Sequence, residues 1–206
     1  LSRSGAQYVP LMLLLIITVS LGIYSAATAR TLVRNYEDHI RYAVGTDVAT
    51  TEEWFLPDMP AAQIVSEPPF QRRMEIPGVA AAARVLRGRA AVRRRGDWTM
   101  GVNATFIAVE PSEFARAAWF RDDLTEAHFY EYLRLMQRHR EGVIFSTAVW
   151  NAADLELGES LIVTYHGQEI PAYAAGHVDF WPSLDPTDYP FFICNLKHIQ
   201  DYTALE

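Results

Sequence analysis

The chain has 206 residues, half of them apolar and 12% aromatic, which is too much apolar surface for a disordered segment and enough length for one domain with an appendage. Acidic residues outnumber basic ones, 25 to 18, which counts against a nucleic-acid binder. A single cysteine, Cys194, excludes an internal disulfide framework and any multi-cysteine metal site.

The first predicted element is a membrane helix. No charged residue occurs from Tyr8 to Ala29, and the run from Val9 to Tyr24 is apolar or weakly polar throughout. A bilayer core about 30 Å thick needs roughly 20 such residues in a helix. Tyr8 and Tyr24 lie near the ends, where amphipathic rings suit the interface. Pro10 is read into the first turn, where a missing N–H does no harm. A cleaved signal peptide is the competing reading, since Ser25 to Ala29 offers small residues, and a buried core helix is a third. The apolar run is too long for the signal-peptide reading. The chain opens at Leu1 rather than methionine, which reads as a piece of a longer protein. Arg30, Arg34 and Arg41 outnumber Arg3 across the apolar run. By charge alone they would hold the larger part in the cytoplasm.

Helical spacing continues from Arg30 to Tyr42. Leu32, Tyr36 and Ile40 share a face, with Val33 beside them. The prediction is a stalk that leaves the bilayer and ends at Gly45 as a cap residue. Five prolines then fall between Ala49 and Pro77. They predict an irregular excursion with a strand at Val48 to Phe55 and an extended piece at Pro69 to Met74. The excursion reads as a surface loop, or as a lid or contact loop carrying Trp54, Phe55 and Phe70.

Regular elements follow. Pro77-Gly78-Val79 is expected to open a short alanine-rich helix. Arg84 to Arg95 and Thr99 to Glu110 read as paired strands around a Gly96-Asp97 turn. A short helix runs through Phe114 and Trp119. Thr125 to Arg140 is amphipathic, with Phe129, Tyr132, Leu133 and Met136 on one face. Gly142 to Ser146 reads as a buried strand, and Thr147 to Ala153 as a helical turn or two. Leu161 to Tyr165 and Ile170 to Phe180 form a hairpin around His166-Gly167. Pro190 to Asn195 is a last strand and Leu196 to Thr203 a closing helical piece. Ser183 is expected on an exposed loop. Hairpin-paired strands with helices between them predict an α+β domain.

Motifs that would announce chemistry are missing. Lys197 is the only lysine, and Leu196-Lys197-His198 is no phosphate-binding Walker loop. The other basic residues are arginines, which with the many alanines points to a GC-rich bacterial genome. No Gly-x-Ser-x-Gly, His-Glu-x-x-His or Gly-x-Gly-x-x-Gly occurs. Arg84, Arg87, Arg89, Arg93, Arg94 and Arg95 form the strongest charge cluster. They could attract anionic head groups, but the favoured reading is a solvated hairpin whose charges block edge pairing. Arg95-Gly96-Asp97 matches an integrin-type tripeptide, and Asn103-Ala104-Thr105 a glycosylation sequon; both are weak signals. Of six histidines, His39, His128, His139 and His198 stand alone, whereas His166 and His177 could approach across the hairpin near Asp179 as metal ligands. Glu52-Glu53 and Asp122-Asp123 are adjacent pairs that point to different sides, unsuited to paired acid–base work. Asp154, Glu156 and Glu159 read as turn residues, and Cys194 as a buried inert thiol.

In their order these pieces resemble the FtsX-like (MacB-type) ABC transporter permeases. The landmarks are the apolar helix running into Ala29-Arg30-Thr31-Leu32-Val33-Arg34-Asn35-Tyr36 and then Ile40 to Asp47. Next come Pro77-Gly78-Val79 before a strand pair ending at Ala108-Val109-Glu110-Pro111-Ser112-Glu113-Phe114, and Gly142 to Ser146 followed by Leu155-Glu156-Leu157-Gly158-Glu159-Ser160. Glu159 stands where the family often has aspartate. The likeness runs from about Tyr8 to Ile199. It implies a transmembrane helix and stalk over residues 1–45 and a MacB-like extracytoplasmic α+β domain over residues 46–206. It places that domain outside the plasma membrane, against the charge count. It further implies a non-catalytic permease subunit, with no catalytic, cofactor or metal residues. Such a subunit works with a cytoplasmic ABC ATPase, separate or fused, and with a second permease copy or paralogue. Its outer domain couples ATP-driven motion to export of peptide, lipid or lipoprotein cargo, or to activation of a partner. The competing reading is a single-pass receptor or sensor with an outer ligand-binding domain; a membrane-anchored hydrolase is a distant third.

Overall fold

The computed structural model describes residues 5–52, 69–97, 101–184 and 190–203. The chain forms two compact units, residues 1–41 and 42–206. Helix α1 (Gly5–Val44) makes up the first unit and supplies the opening residues of the second. Its side chains from Tyr8 to Glu37 are all exposed. The helix is long and apolar enough to cross a membrane. Its 40 residues at about 1.5 Å each give roughly twice a bilayer core of about 30 Å. Two hydroxyls find acceptors in the helix itself: Thr18 Oγ1 donates to the Leu15 carbonyl and Thr31 Oγ1 to Ala27, both at 2.9 Å. Neither hydroxyl therefore needs water. Because α1 begins at Gly5, Pro10 lies in the second turn rather than the first, and the Ala6 carbonyl loses its helical donor. Gly45, at φ +79°, ends the helix as expected.

The second unit is built on a closed six-stranded barrel in the order β1-β2-β6-β3-β5-β4. Its strands are β1 (Val85–Arg94), β2 (Val102–Val109), β3 (Gly142–Ser146), β4 (Ser160–Tyr165), β5 (Gln168–Val178) and β6 (Phe191–Asn195). Hairpin pairing holds for β1 with β2 and for β4 with β5. The remaining neighbours are distant in sequence. β2 pairs β6 in parallel, β3 pairs β5 in parallel, and β1 closes antiparallel on β4. The protein is thus mixed helix and strand, as the sequence predicts, but its strands close into a barrel that hairpin reasoning does not reveal.

Two cores follow from the alternation of side chains along a strand. Phe106, Ala108, Val143, Phe145, Phe192 and Cys194 point into the barrel, where they meet Val163, Ile170 and Ile199. Their neighbours Ile107, Val109, Ile144, Phe191 and Ile193 point out, into a second core. That core is covered by α3 (Pro111–Ala117), α4 (Phe129–Arg138) and the Trp181 segment, with Phe114 stacked on Trp181 at 5.9 Å. Strands β3 and β6, and β2 from Phe106 onward, are therefore apolar on both faces, which explains their hydrophobic runs. The short helix α5 (Thr147–Ala152) and the closing α6 (Leu196–Thr203) seal the barrel with Val149, Leu196 and Ile199.

Several local expectations are overturned. Pro77-Gly78-Val79 opens no helix; Gly78 takes φ +93°, and the alanines after it lead without helix into β1. Pro69 to Met74 is not extended, because Gln71–Met74 forms a single helical turn, α2. Residues 48–52 form no strand, and the remainder of that expected strand, with Trp54 and Phe55, lies outside the described residues. The amphipathic helix begins at Phe129 rather than Thr125, since the His128 side chain caps it by accepting from the Tyr130 N–H. Ser183 is half-buried rather than exposed, with its N–H donating to the Tyr42 carbonyl at 2.8 Å.

Candidate functional site

The segment entering the second unit is fixed by main-chain and ring contacts. Besides the Ser183 bond, the Trp119 N–H donates to the Gly45 carbonyl at 2.8 Å. The Tyr42 ring meets Trp119 and Phe180 edge-on, at 6.2 and 6.3 Å. Residues 42–45 are thereby part of the folded domain.

In the arginine cluster, Arg84, Arg93 and Arg94 are engaged in ion pairs. Arg84 grips the Glu113 carboxylate through Nε at 3.1 Å and Nη2 at 2.7 Å, and its N–H also donates to Glu113. Arg93 pairs with Glu169 and Arg94 with Glu159, each at 2.7 Å. The edge-blocking role falls away, because β1 is hydrogen-bonded on both sides and has no edge. Arg87 and Arg89 point outward to solvent. Glu159 is more than a turn residue, since it also accepts from the Glu156 N–H.

His166 and His177 do not converge. His166 sits in the β4–β5 turn at φ +48°, packed edge-on against Tyr165. His177 lies opposite Phe145 on β3, near the far end of β5, with Nδ1 3.3 Å from Thr147 Oγ1 and its ring 5.0 Å from Trp150. Among the described residues no three His, Cys, Asp or Glu side chains gather as a metal ion would need. Cys194 is fully buried in the barrel, where burial pushes its thiol well above the ordinary range.

The richest polar arrangement lies around the ends of β2 and β6. Asn195 follows the apolar run of β6, and its amide works in two directions. Nδ2 donates to the Met136 carbonyl of α4 at 3.2 Å. Oδ1 accepts from the N–H groups of Lys197 and His198, capping α6. Beside it, Glu110 is buried; Oε1 accepts from Ser112 Oγ at 3.2 Å and Oε2 stands 3.3 Å from Lys197 Nζ. His198 is also buried, and its Nε2 donates to the Pro171 carbonyl at 2.8 Å. A carbonyl can only accept, so Nε2 carries the proton.

His198 borders an open groove of about 690 Å³ between the α4–β3 loop, β5 and α6. Arg138, His139 and Arg140, from the end of α4 and the loop after it, line it together with Tyr173 of β5 and Tyr202 of α6. Two His–Tyr pairs meet edge-on here, His139 with Tyr173 at 6.5 Å and His198 with Tyr202 at 5.3 Å. Glu141 and Asp201 complete the lining. Burial, with Glu141 beside it, pushes the Tyr173 phenol up, so the hydroxyl stays a neutral donor. The sequence reading assigns no site here. The adjacent run Arg138-His139-Arg140 was the one available signal; Tyr173 and Tyr202 reach the groove only through the barrel.

No family model matches the chain, and no curated protein matches it.

Proposed function

We propose that the chain is the first membrane helix and the extracytoplasmic domain of a non-catalytic permease subunit of an ABC transporter, of the FtsX-like kind its sequence resembles. The observation that carries this reading is α1: an exposed, apolar helix that continues without a break to the first residues of a folded α+β domain. In this reading residues 8–29 lie in the plasma membrane, residues 30–44 form a stalk, and the barrel stands outside. Motion generated by a cytoplasmic ABC ATPase passes along the stalk to the domain. There it drives handling of peptide, lipid or lipoprotein cargo or activates a partner, with a second permease copy completing the transporter.

A receptor or sensor is the second reading, and the groove beside His198 favours it. Two measurements on the full protein in its native membrane separate these readings. Gln168, exposed at the start of β5, is replaced by cysteine and treated in intact cells with a membrane-impermeant maleimide. Labelling in intact cells is expected; labelling only after lysis would overturn the orientation. The purified protein should then bring with it an ATPase bearing a Walker loop and hydrolyse ATP in vesicles. Purification without such a subunit would sink the permease reading and leave the receptor.

A further inference from the structure

The lining of the open groove defines the chemistry of a ligand that would fit it. The groove's volume lies within the range of about 300 to 1,000 Å³ usual for small-molecule sites. Six arginines of the second unit, Arg73, Arg84, Arg93, Arg94, Arg121 and Arg134, each meet a carboxylate. Arg138 and Arg140, like Arg87 and Arg95, make no ion pair among the described residues, and they are the two that line the groove. A guanidinium fork matches an oxyanion in shape and charge.

The remaining lining narrows the choice. Glu141 and Asp201 balance the two arginines, which disfavours a polyanion, and they offer acceptors to hydroxyl groups on the rest of the ligand. Tyr173 and Tyr202 present ring surface and phenolic hydroxyls to a compact, hydroxylated body. His198 is held from behind by Pro171, so that end of the groove is already ordered before a ligand arrives.

We propose that this groove binds a small hydroxylated ring carrying a single phosphate or carboxylate, such as a sugar monophosphate. The oxyanion would lie on Arg138 and Arg140 and the ring against Tyr173 and Tyr202. This inference does not depend on whether α1 crosses a membrane.

The test is calorimetric titration of the full chain in detergent with glucose 6-phosphate, inorganic phosphate and glucose. Glucose 6-phosphate should bind more tightly than the other two. Arg138→Ala and Arg140→Ala should each weaken it by about tenfold or more, the usual effect of losing a charge-assisted contact. Both side chains are exposed, so neither change threatens the fold. Arg134→Ala, on α4 but outside the groove, should leave binding unchanged. No binding at millimolar concentration would overturn the proposal. So would affinity untouched by both groove substitutions, or glucose binding as tightly as its phosphate.

Discussion

Gly88 on β1 faces the Phe106 ring of β2 so closely that a methyl group there would lie 2.8 Å from Phe106 Cε1 and 3.1 Å from the Tyr165 ring. Phe106 cannot swing aside. It is buried, stacked on Phe192 at 5.6 Å and edge-on to Tyr165 at 4.8 Å. Gly88→Val should therefore overpack the barrel and cost about 1–3 kcal/mol. Urea unfolding of the full chain followed by aromatic fluorescence measures it. A wild-type midpoint would show that the barrel yields at this seam.

Ser146 joins two elements through one oxygen. Its Oγ accepts from the Val149 N–H, capping α5, and from the Phe191 N–H at the start of β6, at 3.4 and 3.1 Å. Ser146→Ala removes the cap and leaves a buried donor unpaired. The expected loss is about 1–3 kcal/mol. His128→Ala, at the exposed cap of α4, should cost less, and the same unfolding measurement ranks the two.

Arg84 and Glu113 tie the entry of β1 to α3 with a bidentate pair, and the guanidinium also lies 5.0 Å from the Phe70 ring. Both side chains are mostly shielded from water. Glu113→Ala should lower stability by about 1–3 kcal/mol, because charge-assisted hydrogen bonds are lost. The exposed pair of Arg134 with Glu131 should contribute under about 0.5 kcal/mol. A double-mutant cycle on each pair checks the contrast.

Alkaline pH should destabilise the domain. Burial raises the Cys194 thiol above its ordinary 9.0 and the Tyr132, Tyr165 and Tyr173 phenols above 10.0. The unfolded chain releases these protons at lower pH than the folded one. The stabilising contribution is whole below the unfolded values and is lost as pH climbs past them. Melting temperature should be flat up to about pH 8.5 and fall above about pH 9. Cys194 should also resist thiol reagents at neutral pH until denaturant is added. Prompt labelling of the native protein would contradict its burial.

The permease reading requires a stiff stalk. α1 has no proline or glycine between Ile23 and Val44. Asn35→Pro would remove a hydrogen bond and cost ~3 kcal/mol or more in the helix interior. Transport per ATP hydrolysed in reconstituted vesicles should fall for Asn35→Pro while the domain keeps its melting temperature. Arg87→Ala, an outward substitution on β1, should change neither. Unchanged coupling in Asn35→Pro would refute the stalk's role.

Local patterns were legible wherever one neighbour dominates. The uncharged run from Tyr8 to Ala29 announced a helix, because only hydrogen bonding within the segment can serve an apolar stretch of that length. Gly142 to Ser146 read as a buried strand and Pro190 to Asn195 as a last strand, and both are apolar runs because both faces of β3 and β6 meet apolar cores. His166-Gly167 marked a hairpin turn, as both residues take positive φ. Pro77-Gly78 was read as the start of a helix, whereas Gly78 turns the chain directly towards β1, and local composition does not distinguish the two. Closure of the barrel was beyond the sequence. The parallel registers of Phe106 with Phe192 and of Phe145 with His177 join segments far apart in the chain, and nothing in either segment names its partner. The groove has the same origin: Arg138, Tyr173 and Tyr202 come together only because β3, β5 and α6 are set side by side by that closure. Sequence by itself determined the long apolar helix, the amphipathic helix and the runs of the strands, since those preferences act over a few residues. Tertiary structure alone decided which strands meet, because burying both faces of β3 and β6, and of β2 from Phe106 onward, is a condition on the whole chain.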